Sequence, residues 1–215
     1  MQLKETQRIN LSDDIEKEVR QETYGLFPTG LTRYRPDNHD ELLSKIYEWM
    51  KTKDLVREHG REKMCYNVVQ VGDNLDPVKE IPELAQAISD AVAFHNNNTM
   101  KYDCEFSVTD CYCEIANEGA LYAPHEHSNA IYSGTFFVNV DLEKGGVFKF
   151  RRATMSTFFP VMQVPSKEMT AFNMPEQYVQ YSNGDFLIHP PNIQHGYEGN
   201  QAQDRISITF NVVPS

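Results

Sequence analysis

Three histidines, one arginine and one serine are the side chains in this sequence best placed to do chemistry. His125-Glu126-His127 stands in a stretch that reads as β-strand, where residues two apart project from the same face. Its two imidazoles can therefore occupy neighbouring positions on one metal ion, with Glu126 turned away. A third ligand must come from elsewhere, and His195, after the stiff Pro190-Pro191-Asn192 connection, is the candidate. Imidazole suits iron, zinc, copper and nickel. Further on, Arg205 and Ser207 alternate along a strand. A guanidinium fork binds a carboxylate through two donors, and a hydroxyl adds a third. If the chain turns after Glu198-Gly199-Asn200 and returns antiparallel, both side chains point into a barrel. The set describes a metal that binds and activates a carboxylate-bearing cosubstrate, and hence an enzyme.

These side chains need a scaffold, and the pattern of the chain supplies one. Ser12-Asp13-Asp14 offers a cap for a short charged helix over Ile15 to Thr23, and Leu26 to Pro36 reads as extended. Asp40 to Met50 has helical spacing in Leu42, Leu43, Ile46, Tyr47 and Trp49, with Asn38 or Asp40 as its cap. A second helix runs from Pro82 to Asn96, with Leu84, Ile88, Ala91, Val92 and His95 along one stripe, His95 as a core residue. From residue 101 strands take over: Cys104 to Val108, Cys111 to Ala116, Ala130 to Val140, Gly146 to Arg151, Thr170 to Asn173, Asp185 to Ile188 and Arg205 to Val213. Arg152 to Lys167, with Phe158-Phe159-Pro160, follows no period and reads as a long loop over the site. The expected fold is mainly β with flanking helices (α+β), a double-stranded β-helix (jelly roll, cupin-like) with the N-terminal helices packed outside. No Pro/Gly/Ser-rich linker divides residues 1–215, so we expect a single domain. Residues 1–100 form its N-terminal helical and extended framing segment and residues 101–215 its double-stranded β-helix core.

Composition narrows the function classes. The chain has 31 acidic residues against 20 basic ones and a net charge of −11, which disfavours a broad surface for nucleic acid or anionic membranes. No apolar run is long enough to span a bilayer, and the polar N-terminus has no apolar region of a secretory signal. Cys65, Cys104, Cys111 and Cys113 include no CxxC and read as free thiols of a cytoplasmic protein, Cys111 and Cys113 on one face of a strand. A (β/α)₈ zinc hydrolase with an HxH pair is disfavoured, because that scaffold takes about 250 residues and alternating helices.

In this order the residues resemble the iron(II)- and 2-oxoglutarate-dependent oxygenases, and within them a small family from marine bacteria and phages. The resemblance is carried by His125-Glu126-His127-Ser128-Asn129, Ser133-Gly134-Thr135-Phe136-Phe137-Val138, Gly184-Asp185-Phe186-Leu187, His195 and Arg205-Ile206-Ser207-Ile208-Thr209-Phe210-Asn211. The Leu26-Phe27-Pro28-Thr29 start is similar too. It implies a double-stranded β-helix in which His125, His127 and His195 ligate Fe(2+), and Arg205 and Ser207 hold the distal carboxylate of 2-oxoglutarate. Decarboxylation of 2-oxoglutarate would be coupled, with dioxygen, to oxidation of a small-molecule or protein side-chain substrate, as in a hydroxylase. Asn117 stands where that family often has asparagine and would orient an imidazole. Tyr122 and Tyr132 are further candidates to line the pocket or hydrogen-bond the cosubstrate, with ordinary packing of a half-buried tyrosine as the competing reading of both.

One departure matters. The common facial triad is two histidines and a carboxylate, yet the carboxylate position here holds His127. Asp110 and Glu114 are the candidates to bring a carboxylate from another segment. His189 reads as structural, and Arg151-Arg152 as a solvated strand end. Two other classes stay open: a cupin-like three-histidine metal enzyme without 2-oxoglutarate, against which Arg205 and Ser207 argue, and a non-catalytic metal-stabilised barrel.

Overall fold

A computed structural model describes residues 29–56, 65–151, 165, 167–170, 174 and 176–215. The expected helix over Ile15–Thr23, residues 171–173 of the expected strand over Thr170–Asn173 and nearly all of the loop between Arg152 and Lys167 lie outside the described residues.

The organising element is β10 (Arg205–Pro214), whose alternation sorts its side chains onto two faces. Ile206, Ile208, Phe210 and Val212 join an apolar core under the helices, while Arg205, Ser207, Thr209 and Asn211 take the opposite face. Antiparallel neighbours flank it, β4 (Phe106–His125) on one side and β5 (Tyr132–Asn139) on the other. Beyond β5 come β8 (Phe186–His189) and then β1 (Thr32–Tyr34). Beyond β4 come β3 (Cys65–Val71) and β2 (Leu55–Val56). The far end of β4 leaves this sheet and pairs with β9 (Gln194–Tyr197), which continues to β6 (Lys149–Arg151) and β7 (Glu176–Gln177). The result is a mainly antiparallel β half-barrel, a double-stranded β-helix with helices outside it.

Helices α1 (His39–Met50), α2 (Asp76–Glu80) and α3 (Pro82–Asn98) cover the outer face of the larger sheet. Leu42, Ile46 and Trp49 of α1 and Leu84, Ile88 and Val92 of α3 fall at helical spacing and are buried with Phe136, Phe186 and Phe210 of the sheet. Asn38 stands at the start of α1 but makes no side-chain cap there; Asp40 and Glu41 in the first turn complement the helix dipole instead. Gly134 has no side chain because the ring of Phe210 crosses that point of β5. A second core, with Phe137, Phe148, Leu187 and Tyr197, lies between the two sheets. No helix among the described residues is long and apolar enough to cross a membrane.

Several elements differ from expectation. The strands expected over 104–108 and 111–116 are one strand, β4, which continues through a bend at Gly119 (φ +79°) to His125. Segments before residue 101 contribute β1, β2 and β3 to the sheet. β10 does not return alongside the strand of His195. It inserts between β4 and β5, and Arg205 and His195 line one cavity.

Candidate metal and cosubstrate site

Strand pairing brings the histidines together. His125, the last residue of β4, is directly opposite His195 in β9. The register between Tyr122 and His125 is irregular, and Pro124, which has no N–H for the ladder, sits within that irregularity. His127 lies just beyond the strand; its N–H donates to the Pro191 carbonyl at 2.9 Å, which folds it back. The three imidazoles thus converge, with one ring nitrogen from each within 4.8 Å of the others. His127 Nε2 and His195 Nε2 are 3.1 Å apart.

The rings are oriented from behind. His125 Nδ1 faces the Ala123 carbonyl and His195 Nδ1 the Ile193 carbonyl, each at 2.9 Å. A carbonyl only accepts, so Nδ1 carries the proton and Nε2 presents its lone pair. Burial, reinforced by the neighbouring imidazoles, pushes the His195 pKa far down and keeps the ring neutral, the form that ligates metal. Imidazole–metal bonds of roughly 2.1 Å place adjacent ligand nitrogens about 3 Å apart, so the 3.1 Å separation suits one ion. His189 packs against His195 with ring centroids 4.4 Å apart, but its Nδ1 is bonded to the Pro190 carbonyl and it stands outside the converging group.

Across the interior, the Arg205 side chain is 3% exposed. Its Nε donates to the Gly146 carbonyl at 3.3 Å, and its guanidinium lies 4.0 Å from the centroid of the Tyr197 ring. Gly145 and Gly146 both have positive φ, and a side chain on Gly146 would crowd Arg205 Cδ and Nε at 3.3 Å. Arg205 Nη2 is buried with no hydrogen-bond partner among the described residues. An orphaned cationic donor of this kind is costly and fits a carboxylate. Ser207 lines the same cavity, together with Thr209 and Thr135. The cavity is narrow, with about 20 Å³ of free volume, so taking up a dicarboxylate requires its walls to part.

Two residues expected at the site lie elsewhere. Tyr132 belongs to the helix-side core: its hydroxyl donates to Asn96 Oδ1 at 2.9 Å and its ring packs edge-on to His95. In β5 it is Ser133, Thr135 and Phe137 that face inward, one step out of phase. Asn117 does not line the cavity; its carbonyl accepts from Asn200 Nδ2 at 2.7 Å, and backbone carbonyls orient the imidazoles instead. Of the two candidate carboxylates, Asp110 is held by Asn74 and Asn211, whereas Glu114 lines the cavity. Tyr197, Thr135 and Thr209 were not anticipated. Tyr197 follows His195 by two and Thr209 follows Ser207 by two, so strand periodicity alone could have found both.

Fold and side-chain set together resemble those of the iron(II)- and 2-oxoglutarate-dependent oxygenases. Residues 110–211 match the family described as "Putative 2OG-Fe(II) oxygenase". Solved structures share the architecture. A Pseudomonas putida prolyl-4-hydroxylase is 15% identical, with a TM-score of 0.58 over 87% of this chain and 94% of its own. A Burkholderia pseudomallei oxidoreductase of the 2OG-Fe(II) oxygenase family is 11% identical, with a TM-score of 0.59 over 85% and 84%. HygX of Streptomyces hygroscopicus, with nickel, 2-oxoglutarate and hygromycin B bound, is 11% identical, with a TM-score of 0.56 over 87% and 84%. At such identities the likeness speaks for the fold. No curated protein matches the chain.

Proposed function

We propose that this protein is a hydroxylase in which His125, His127 and His195 ligate iron(II) while Arg205 and Ser207 hold the distal carboxylate of 2-oxoglutarate. The observation that carries the reading is the buried, partly unpartnered Arg205 guanidinium in the same cavity as three converging imidazoles. Iron(II) with 2-oxoglutarate supplies the coupling of dioxygen reduction and decarboxylation to oxidation of a bound substrate. The protein's own part is positional. The Tyr197 ring face holds the guanidinium in place, so that its fork is set to meet a carboxylate. Aromatic walls from Phe148 and Tyr122 limit water around the imidazoles. The substrate is a small molecule or a protein side chain, and four cysteines without a disulfide suit a reducing, cytoplasmic setting.

The test is succinate release on adding iron(II), 2-oxoglutarate and ascorbate in air, without any prime substrate. Slow turnover that stops on chelation is expected. Stoichiometric iron with no 2-oxoglutarate binding would overturn the reading in favour of a three-histidine enzyme or a metal-stabilised barrel.

A further inference from the structure

Three neutral imidazoles surround a divalent ion with one negative charge fewer than two imidazoles and a carboxylate. Glu126 does not make up the difference, because it is exposed to solvent. Glu114 does line the cavity. It lies on β4 directly opposite Ser207 and is 5% exposed. Its Oε1 accepts a hydrogen bond from the Tyr122 hydroxyl at 3.3 Å, and the Tyr122 ring lies 4.9 Å from that of His125. Glu114 is outside the group of converging ligand atoms, so it would act on a metal through space. Burying a carboxylate is unfavourable unless positive charge is near, and this cavity holds the Arg205 guanidinium.

Resting on the metal reading above, we infer that Glu114 is a positioning residue: an outer counter-charge that replaces the carboxylate missing from the ligand set. Its field attracts the cation. Because it also stands beside Ser207, the same field repels the distal carboxylate of 2-oxoglutarate and of succinate. One side chain thereby tightens the hold on metal and loosens the hold on the dicarboxylate, which favours exchange of product for cosubstrate.

The inference is tested by anaerobic calorimetric titration of the full-length protein, first with manganese(II) and then with 2-oxoglutarate. Wild type is compared with Glu114→Gln and Glu114→Asp. Loss of the charge in Glu114→Gln weakens metal binding on the order of tenfold and strengthens 2-oxoglutarate binding several-fold. Glu114→Asp, which keeps the charge, stays close to wild type. Unchanged affinities in Glu114→Gln, or two affinities that fall together, overturn the inference, as does an Asp variant that behaves like Gln. Wild-type protein that takes up no metal overturns the metal reading itself, and this inference with it.

Discussion

The guanidinium carbon of Arg205 sits over the Tyr197 ring, 4.0 Å from its centroid, although β10 and β9 do not pair and are separated by β4. Tyr197 also shares β9 with His195. The residue that fixes the guanidinium is thus rigidly tied to a candidate metal ligand, and the distance between the two ends of the site is set by one short strand.

This arrangement separates two kinds of loss. In Arg205→Ala the 2-oxoglutarate requirement rises about 100-fold or more, since charge-assisted hydrogen bonds contribute roughly 1.5–3 kcal/mol each, while bound metal stays near one equivalent. In His195→Ala metal binding is lost. Metal analysis alongside 2-oxoglutarate titration checks both. Iron loss in the arginine variant with intact cosubstrate affinity would contradict the clamp.

Gly196 lies where β9 presses on β4, and a Cβ there would run into the backbone carbonyl of Tyr122 and the backbone of Ala123. Gly196→Ala therefore destabilises by about 1–3 kcal/mol and pushes His195 out of line with His125, weakening metal binding as well. Thermal unfolding and metal titration report the two effects. A variant with unaltered Tm and metal affinity would show that the strands can separate at no cost.

The thiols differ in accessibility. Cys104 is exposed, whereas Cys111 and Cys113 are fully buried, and burial pushes the Cys111 thiol up to about 12. Cys104 reacts with a thiol reagent at pH 8 in the native protein, while Cys111 and Cys113 react only on unfolding. Mass mapping of the labelled positions distinguishes them.

His95 responds to pH. It is 1% exposed, shares a 2.8 Å hydrogen bond with Thr32, and burial lowers its pKa. In the unfolded chain it titrates near about 6.5. Below that pH the unfolded state binds a proton that the folded state refuses, so the stability from His95 is present above about 6.5 and lost as pH falls. Urea midpoints at pH 7.5 and 5.5 should differ less in His95→Gln than in wild type. Equal differences would mean that His95 is not the group responsible.

What could be read from the sequence follows from period. β10 was legible because four polar residues alternate with four apolar ones. α1 and α3 were legible from their spacing at 3.6 residues per turn. β3 escaped notice because its burial follows no alternation, and β9 because it is four residues long with a glycine inside. The misplacement of Tyr132 was an error of phase. A strand was expected there, but a one-residue shift exchanges its faces, and only the packing of α3 on Tyr132 decides which parity turns inward. Glu114 could be named from the sequence as a candidate carboxylate. Its position beside Ser207 depends on pairing between β4 and β10, which no local pattern encodes.

β4 runs unbroken from the helix-backed sheet into the sheet of His195, carrying Glu114 before its bend at Gly119 and His125 after it. A proteolytic cut at that bend would spare most hydrogen bonds of both sheets, yet it would release the covalent tether that holds anion end and cation end at a constant span. The nicked protein should still fold, and it should grip each partner alone better than it grips both together.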